Sequence, residues 1–452
     1  MKPNILFILV DGLRMDQIFG NERTCITPNM DMLTKNGTYF DQAISSADGT
    51  VLNLNSIFNS LHPYKTGVRA INLILTNTNY ITQLRDHGYH IFGLVPKFTS
   101  YTSLIDFFEN NEARYNALSP KKEYLWKGLE QKAIGILDSI KSCEPWFFFL
   151  HFMDLHDPLL VDKKFDSEKF GDSSYARAVS SIDYWIGKII EKIDLKQTLL
   201  ILTSDHGNLI PKDNKSISDI APDLKLGLNV GKRIMPKSTY SVGAKLFIAT
   251  RNIITKVKLA NENKKLTPYE IRSRRPPFTL SLYEESIRVP LIFAGYNISS
   301  KKISHQVQNV DIFPTIAEII KLPKKNNVTD GRNLFDTFGN KIIEKPAYLH
   351  TMPFQAMSPD DTVGIRTSKY KYFRHARDSK KNINLYDLQK DPQENHNIAK
   401  QHPNVVKEME QILLVTTSYD LEKHEPSEDE NVRKKIEEEY RKLGYLLLVR
   451  YF

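Results

Sequence analysis

Two cysteines in 452 residues, Cys25 and Cys143, are too few for a disulfide framework, and their separation matches no metal-ligand spacing. Both are expected as buried free thiols. No apolar run approaches the ~20 residues of a membrane span. The first such run, Ile5 to Val10, is shorter than a secretory leader requires and ends in Asp11, assigned below to the reacting centre. A cytoplasmic location is expected on that ground. The Asn-X-Ser/Thr triplets at Asn36, Asn214, Asn297 and Asn327 then count as chance matches. Internal repeats and nucleic-acid-binding motifs are missing too, so no nucleic-acid partner is expected. No pattern specifies an oligomeric state.

What the chain does have is an ordinary globular balance, over a length that calls for two closely packed domains. Its net charge of +9 is concentrated in one place. Residues 208–280 hold fifteen Lys/Arg against five Asp/Glu, which accounts for the whole surplus. They read as a basic insertion, a surface or lid able to attract an anionic substrate, polymer or membrane.

The run Ile5–Val10 is continuous and β-rich, as in a buried parallel strand, and similar runs recur at His90–Val95, Trp146–Phe152, Thr198–Thr203 and Val289–Ala294. Helical stretches lie between them, over Tyr124–Ser142 and Ser174–Ile193. The alternation predicts an α/β fold, a mostly parallel sheet flanked by helices, over residues 1–340. Short strands and turns from Lys341 onward predict a smaller C-terminal α+β subdomain over 341–452, closed by a charged helix near 431–443. Ligands of such sheets bind beyond the carboxyl ends of the strands. Asp11, the His151–His156 segment and Asp205-His206-Gly207 each follow a strand directly.

A lone carboxylate at a strand end is commonly a cap or a turn residue. Two carboxylates and an imidazole converging from several strands are another matter. Asp11, Asp205 and His206 would form a mostly hard site suited to one divalent ion, Mn²⁺, Mg²⁺ or Ca²⁺, with Zn²⁺ also accommodated. Burying that much negative charge without a cation is costly.

Pro3-Asn-Ile-Leu-Phe-Ile-Leu-Val-Asp11-Gly-Leu-Arg14 resembles the opening of the sulfatase family of the alkaline phosphatase superfamily. The likeness continues in order through Thr27-Pro-Asn-Met-Asp31, Ser56–Val68, Ser204-Asp-His-Gly207, Leu282–Pro290, Val310–Thr315 and Leu385–Pro392. Counted back from Pro63–Val68, Thr50 falls where sulfatases carry the residue converted to formylglycine. The proline and arginine that follow it there are Leu52 and Leu54 here, the second aspartate of the opening pair is Gly12, and a lysine four residues before Tyr283 is Thr279.

An Asp-Gly start with a threonine nucleophile resembles the phosphorus-specific branches of the superfamily, which include nucleotide phosphodiesterases and phosphoglycerol transferases. In the single-metal transferase branch the ion is held by a set that Asp11, Thr50, Asp205 and His206 match one for one. The resemblance therefore implies a metal-dependent hydrolase or transferase of phosphoesters or phosphodiesters, working through a Thr50 covalent intermediate. Sulfate-ester hydrolysis is the alternative. A catalytically weak relative that binds anionic glycans or lipid head groups is the alternative of another class. The substrate is in each case an anionic small-molecule, lipid or glycan ester. His156 resembles the family's histidine near the leaving group, and Lys97 and Asn53 are the substrate-binding expectations. His151, nearer its strand, is expected to be structural. A second metal, which would draw on Asp154, His156 and His350, is less expected, because Pro158 stands where two-metal relatives place a histidine.

Overall fold

Strand β1 (Asn4–Val10) is buried along its whole length, as a continuous run of large aliphatic and aromatic residues requires when both faces of a sheet are covered. It lies at the centre of a nine-stranded sheet with β2 (Thr38–Ile44), β3 (His90–Pro96), β4 (Arg114–Tyr115), β5 (Trp146–Phe152), β6 (Thr198–Thr203), β7 (Arg288–Gly295), β8 (Lys301–Ile303) and β9 (Val307–Gln308). The order is β4-β3-β5-β1-β6-β7-β2-β8, with β9 paired to β2. Pairings from β4 to β6 are parallel, and β7 runs antiparallel to both its neighbours. The computed structural model describes residues 2–20, 23–66, 72–211, 236, 239–274, 281–323, 329–335, 344–351, 361–417 and a few helical positions between 431 and 439.

Among the longer helices, α1 (Pro28–Asn36) is capped by Asp183, whose carboxylate accepts from the Asn29 and Met30 amides. Helix α2 (Thr50–Asn59) is anchored by Phe58, whose ring meets Phe149 of β5 at 5.2 Å between centroids. That contact fixes the height at which the first residue of α2, Thr50, stands over the sheet. Helices α3 (Leu129–Ile140) and α4 (Ser174–Ile190) follow the two predicted stretches, each with shorter bounds.

A contact-defined unit made of Leu209–Thr279 and Gln393–His396 contains α5 (Tyr240–Asn263) and α6 (Pro268–Ser273). Most of 212–238 lies outside the described residues. The other unit holds the remainder of the chain, including α7 (Ile312–Ile319). It also holds a four-stranded antiparallel sheet of β10 (Ala347–His350), β11 (Thr362–Arg366), β12 (Tyr370–His375) and β13 (Asn384–Asp387). Helix α8 (Pro403–Thr416) covers that sheet through Met409 and Leu413, which join Tyr348, Val363, Ile365, Tyr372 and Leu385 in one buried cluster. The charged helix expected near 431–443 falls mostly outside the described residues.

Candidate active site

The parallel register of β5, β1 and β6 determines what converges at their carboxyl ends. Leu9 pairs with His151 on one side and Thr203 on the other. Continuing the alternation two residues past Leu9 and Thr203 puts Asp11 and Asp205 on the same sheet face as His151. Asp11, His151 and Asp205 each present one ligand atom, all within 4.8 Å of one another, and all three are buried. His151 Nε2 is 3.7 Å from Asp11 Oδ2. Its other ring nitrogen lies 3.0 Å from the Tyr101 hydroxyl.

Thr50 opens α2 from Gly49, and its hydroxyl lies at the positive end of that helix. Oγ1 donates to Asp11 Oδ2 at 3.1 Å and is 3.4 Å from His206 Nε2. His206 Nε2 is in turn 3.6 Å from Asp205 Oδ2. Its Nδ1 lies 2.7 Å from the Gly207 carbonyl, an acceptor that calls for a proton on Nδ1. The expected set of Asp11, Thr50, Asp205 and His206 is thus together in space.

The surrounding loops are held by their own polar groups. Gly12 adopts φ +69° and donates its amide to Asp205 Oδ1 at 3.2 Å. At Gly207 a β-carbon would lie 2.1 Å from the Glu285 carbonyl oxygen, so only glycine permits the approach that closes the Asp205-His206 turn. Ser204 Oγ accepts from the Leu13 amide and donates to the His206 carbonyl.

The electrostatics call for a cation. Burial alone would raise Asp11, but His151, His206 and His156 outweigh it and hold the carboxyl far below the ordinary range. Burial and the neighbouring Asp11 charge push Asp205 up. Burial opposes protonation of His206, yet Asp205 and Asp11 prevail and lift it to about 9. His151 Nε2 and Asp205 Oδ2 are buried without a hydrogen-bond partner. A bound divalent ion would satisfy both atoms. His151, expected to be structural, stands in the same buried group as Asp11 and Asp205. The clue missed in the sequence was strand parity.

The structure also places the remaining candidate residues. Asn53 is fully buried, and its amide already donates to the Ala47 and Gly49 carbonyls at 2.7 and 3.0 Å. Instead of offering a donor to substrate, it holds the turn that presents Thr50. Lys97 stands exposed just beyond β3. The buried amine next to the site is Lys122, which sequence reading passed over. Its Nζ donates to the His156 carbonyl, and burial lowers it to about 8 against the pull of Asp154 and Asp11. Asp154, His156 and His350 form no close ligand group among the described residues. Asp154 accepts instead from the Leu125 amide.

His156 is buried, with Nδ1 3.1 Å from the Asp157 carbonyl. Burial lowers its pKa, against the opposing pull of Asp11. Leu52 and Leu54 are both fully buried in α2, so the positions that carry a proline and an arginine after the nucleophile in sulfatases serve packing here.

A mostly parallel α/β sheet delivers carboxylates, imidazoles and a helix-terminal hydroxyl to one edge, the arrangement of the alkaline phosphatase superfamily. The sulfatase family profile matches residues 3–322, and the chain belongs to that family. A second profile, N-sulphoglucosamine sulphohydrolase, C-terminal, matches residues 280–420. An N-acetylgalactosamine-6-O-sulfatase of Bacteroides thetaiotaomicron is 24% identical over 67% of this chain and 54% of its own. Human arylsulfatase K is 29% identical over 31% of this chain and 28% of its own. The chain thus spans about half the length, or less, of these curated relatives. Among solved structures, one bound to its substrate D-glucosamine-2-N, 6-O-disulfate superimposes with a TM-score of 0.64, at 17% identity over 94% of this chain and all of that one. A 2-O GAG sulfatase superimposes at 0.60, with 16% identity over 96% of both chains.

Proposed function

We propose that this chain is a metal-dependent hydrolase of sulfate esters on anionic glycans, with Thr50 as its nucleophile. The observation that carries the reading is the Thr50 hydroxyl, held 3.1 Å from Asp11 and 3.4 Å from His206 at the start of α2, in a chain of the sulfatase family. The phosphorus preference expected from Thr50 and from the missing cations gains no support, because the relatives above are named for sulfate esters.

Asp11, Asp205, His206 and Thr50, joined by His151, are the side chains that would hold the ion. Bound there, a divalent cation would acidify the threonine hydroxyl and offset charge on the ester's non-bridging oxygens. Thr50 Oγ1 attacks sulfur to form a threonyl sulfate, and the bond from sulfur to the bridging oxygen breaks. With a cation bound, the threonine proton would go to solvent before attack, and the departing oxygen takes a proton from protonated His156. Water then attacks the same sulfur and gives a proton back to His156, the sulfur–Oγ1 bond breaks, and sulfate leaves with the threonine oxygen free for the next ester.

The test is turnover by the purified chain of aryl sulfate, sulfated disaccharides, and matched phosphate mono- and diesters, alongside Thr50→Ala. Sulfate release that disappears in the variant supports the proposal. Turnover of phosphate esters alone overturns the sulfate preference, and full activity in Thr50→Ala overturns the nucleophile.

A further inference from the structure

Helix α5 presents an apolar face to solvent. Val242, Leu246, Ala249, Ile253, Val257 and Ala260 are all exposed. Their separations of four, three, four, four and three residues keep them on one stripe of a helix, about 27 Å long. Leu246 is 69% exposed, Ile253 63% and Val257 56%, against the usual scatter of isolated apolar groups on a surface. Thr255, on the opposite side, is buried, so the helix has a separate inner face. At 100° per residue, Lys245 and Lys256 border one edge of the exposed stripe, Ile254 lies beyond the other, and Lys258 and Arg251 fall further round toward the inner face. The one acidic residue of α5, Glu262, points elsewhere and pairs with Arg274 at 3.1 Å.

From this arrangement we infer that α5 docks on an anionic lipid surface, lying flat with its aliphatic stripe in the headgroup boundary. A stripe of Val, Leu and Ile with Lys245 and Lys256 along one edge matches that boundary, where lysine stems extend along apolar surface and their ammonium groups reach lipid phosphates. A second copy of the helix would bring lysines against lysines. Acidic soluble polymers would be held by the charges but would leave the apolar stripe in water.

Sedimentation of the full chain with vesicles tests this, using phosphatidylcholine alone or with about one third phosphatidylglycerol. Binding to the anionic vesicles is expected, weakening with salt, and absent with the neutral ones. Each cation near such a surface is worth about fivefold in affinity, so Lys245→Gln/Lys256→Gln should lose roughly twentyfold or more. Leu246→Asp/Ile253→Asp should abolish binding while leaving the melting temperature and ester hydrolysis unchanged. Equal binding to neutral vesicles overturns the inference, as does binding that survives Leu246→Asp/Ile253→Asp. A drop in melting temperature in that variant shows that the stripe packs against the chain itself and overturns it too. So does a dimer that the variant dissolves.

Discussion

Thr50 is one methyl group larger than a serine and cannot become formylglycine, so its reactivity rests on what touches its hydroxyl. Those contacts are Asp11 and His206, at 3.1 and 3.4 Å. Thr50→Ala is expected to lower kcat by about a thousandfold or more, as loss of a nucleophile does elsewhere, with Thr50→Ser retaining most of it. Single-turnover assays of both variants check this. His151 makes a second residue-level claim. Two carboxylates alone favour hard ions, whereas imidazole nitrogens from His151 and His206 shift the donor set toward Mn²⁺ or Zn²⁺ and away from Ca²⁺. Equilibrium dialysis should find Mn²⁺ or Zn²⁺ bound more tightly than Ca²⁺. His151→Ala should weaken that binding at least by the ~10–100-fold that even outer-shell losses cause. Unchanged affinity in His151→Ala, or a preference for Ca²⁺, removes His151 from the site. A fold made unstable by the substitution would be visible separately in its melting temperature.

At the scale of elements, Gly207 shows how little room the Asp205-His206 turn has. Its amide donates to the Ser286 carbonyl at 2.8 Å, and an added methyl would meet the Glu285 oxygen. Gly207→Ala is expected to cost about 1–3 kcal/mol, as overpacking of a tight site does. It should also displace His206, lowering metal affinity in step with stability, and a urea titration with a parallel metal titration reads both. A variant as stable as wild type would mean that the turn is looser than its contacts imply. The parts of the site that were legible in sequence share a property: Asp11, Asp205 and His206 sit at the ends of apolar runs whose strand character periodicity reveals. Thr50 was legible only through motif resemblance, since one hydroxyl after Asp48-Gly49 has no periodicity of its own. What stayed hidden depends on tertiary direction. His151 required knowing which face of β5 looks toward Asp11, and Lys122 lies in a loop that no local pattern ties to the strands. Asn53 looked like a donor three residues past the nucleophile, but its helix turns it inward, to the Ala47 and Asn309 groups that fix the loop. Lys97, expected from the resemblance to bind substrate, ends up exposed beyond its strand.

Within the unit that carries both sheets, one buried ionic group ties the start of β7 to the smaller sheet. Glu284 receives Arg366 from β11 at 2.8 and 2.9 Å and Lys371 from β12 at 3.1 Å. The Arg366 and Lys371 side chains are 3% and 0% exposed, so neither can turn to water if the carboxylate is lost. Arg366 also donates to Gln306 and Gln42, which binds β2 and the β8–β9 connection into the same network. Removing one partner of such a group leaves buried cations uncompensated, and Glu284→Gln is expected to cost about 3–5 kcal/mol at neutral pH. The pH dependence follows from the sign of the shift. Burial alone would raise Glu284, but Arg366 and Lys371 outweigh it and hold its folded-state pKa well below the ordinary value. Its contribution is therefore complete above the unfolded value near ~4.3 and is lost as pH falls from there toward the folded one. The stability difference between wild type and Glu284→Gln should then hold steady from neutral pH to about 5 and shrink steadily below about 4. Urea midpoints of both proteins across that range decide it. A difference that stays constant into acid would mean that Glu284 acts by packing, and that the two sheets are joined by the apolar cluster of Ile44, Leu282, Ile287, Leu349 and Phe373 without help from charge.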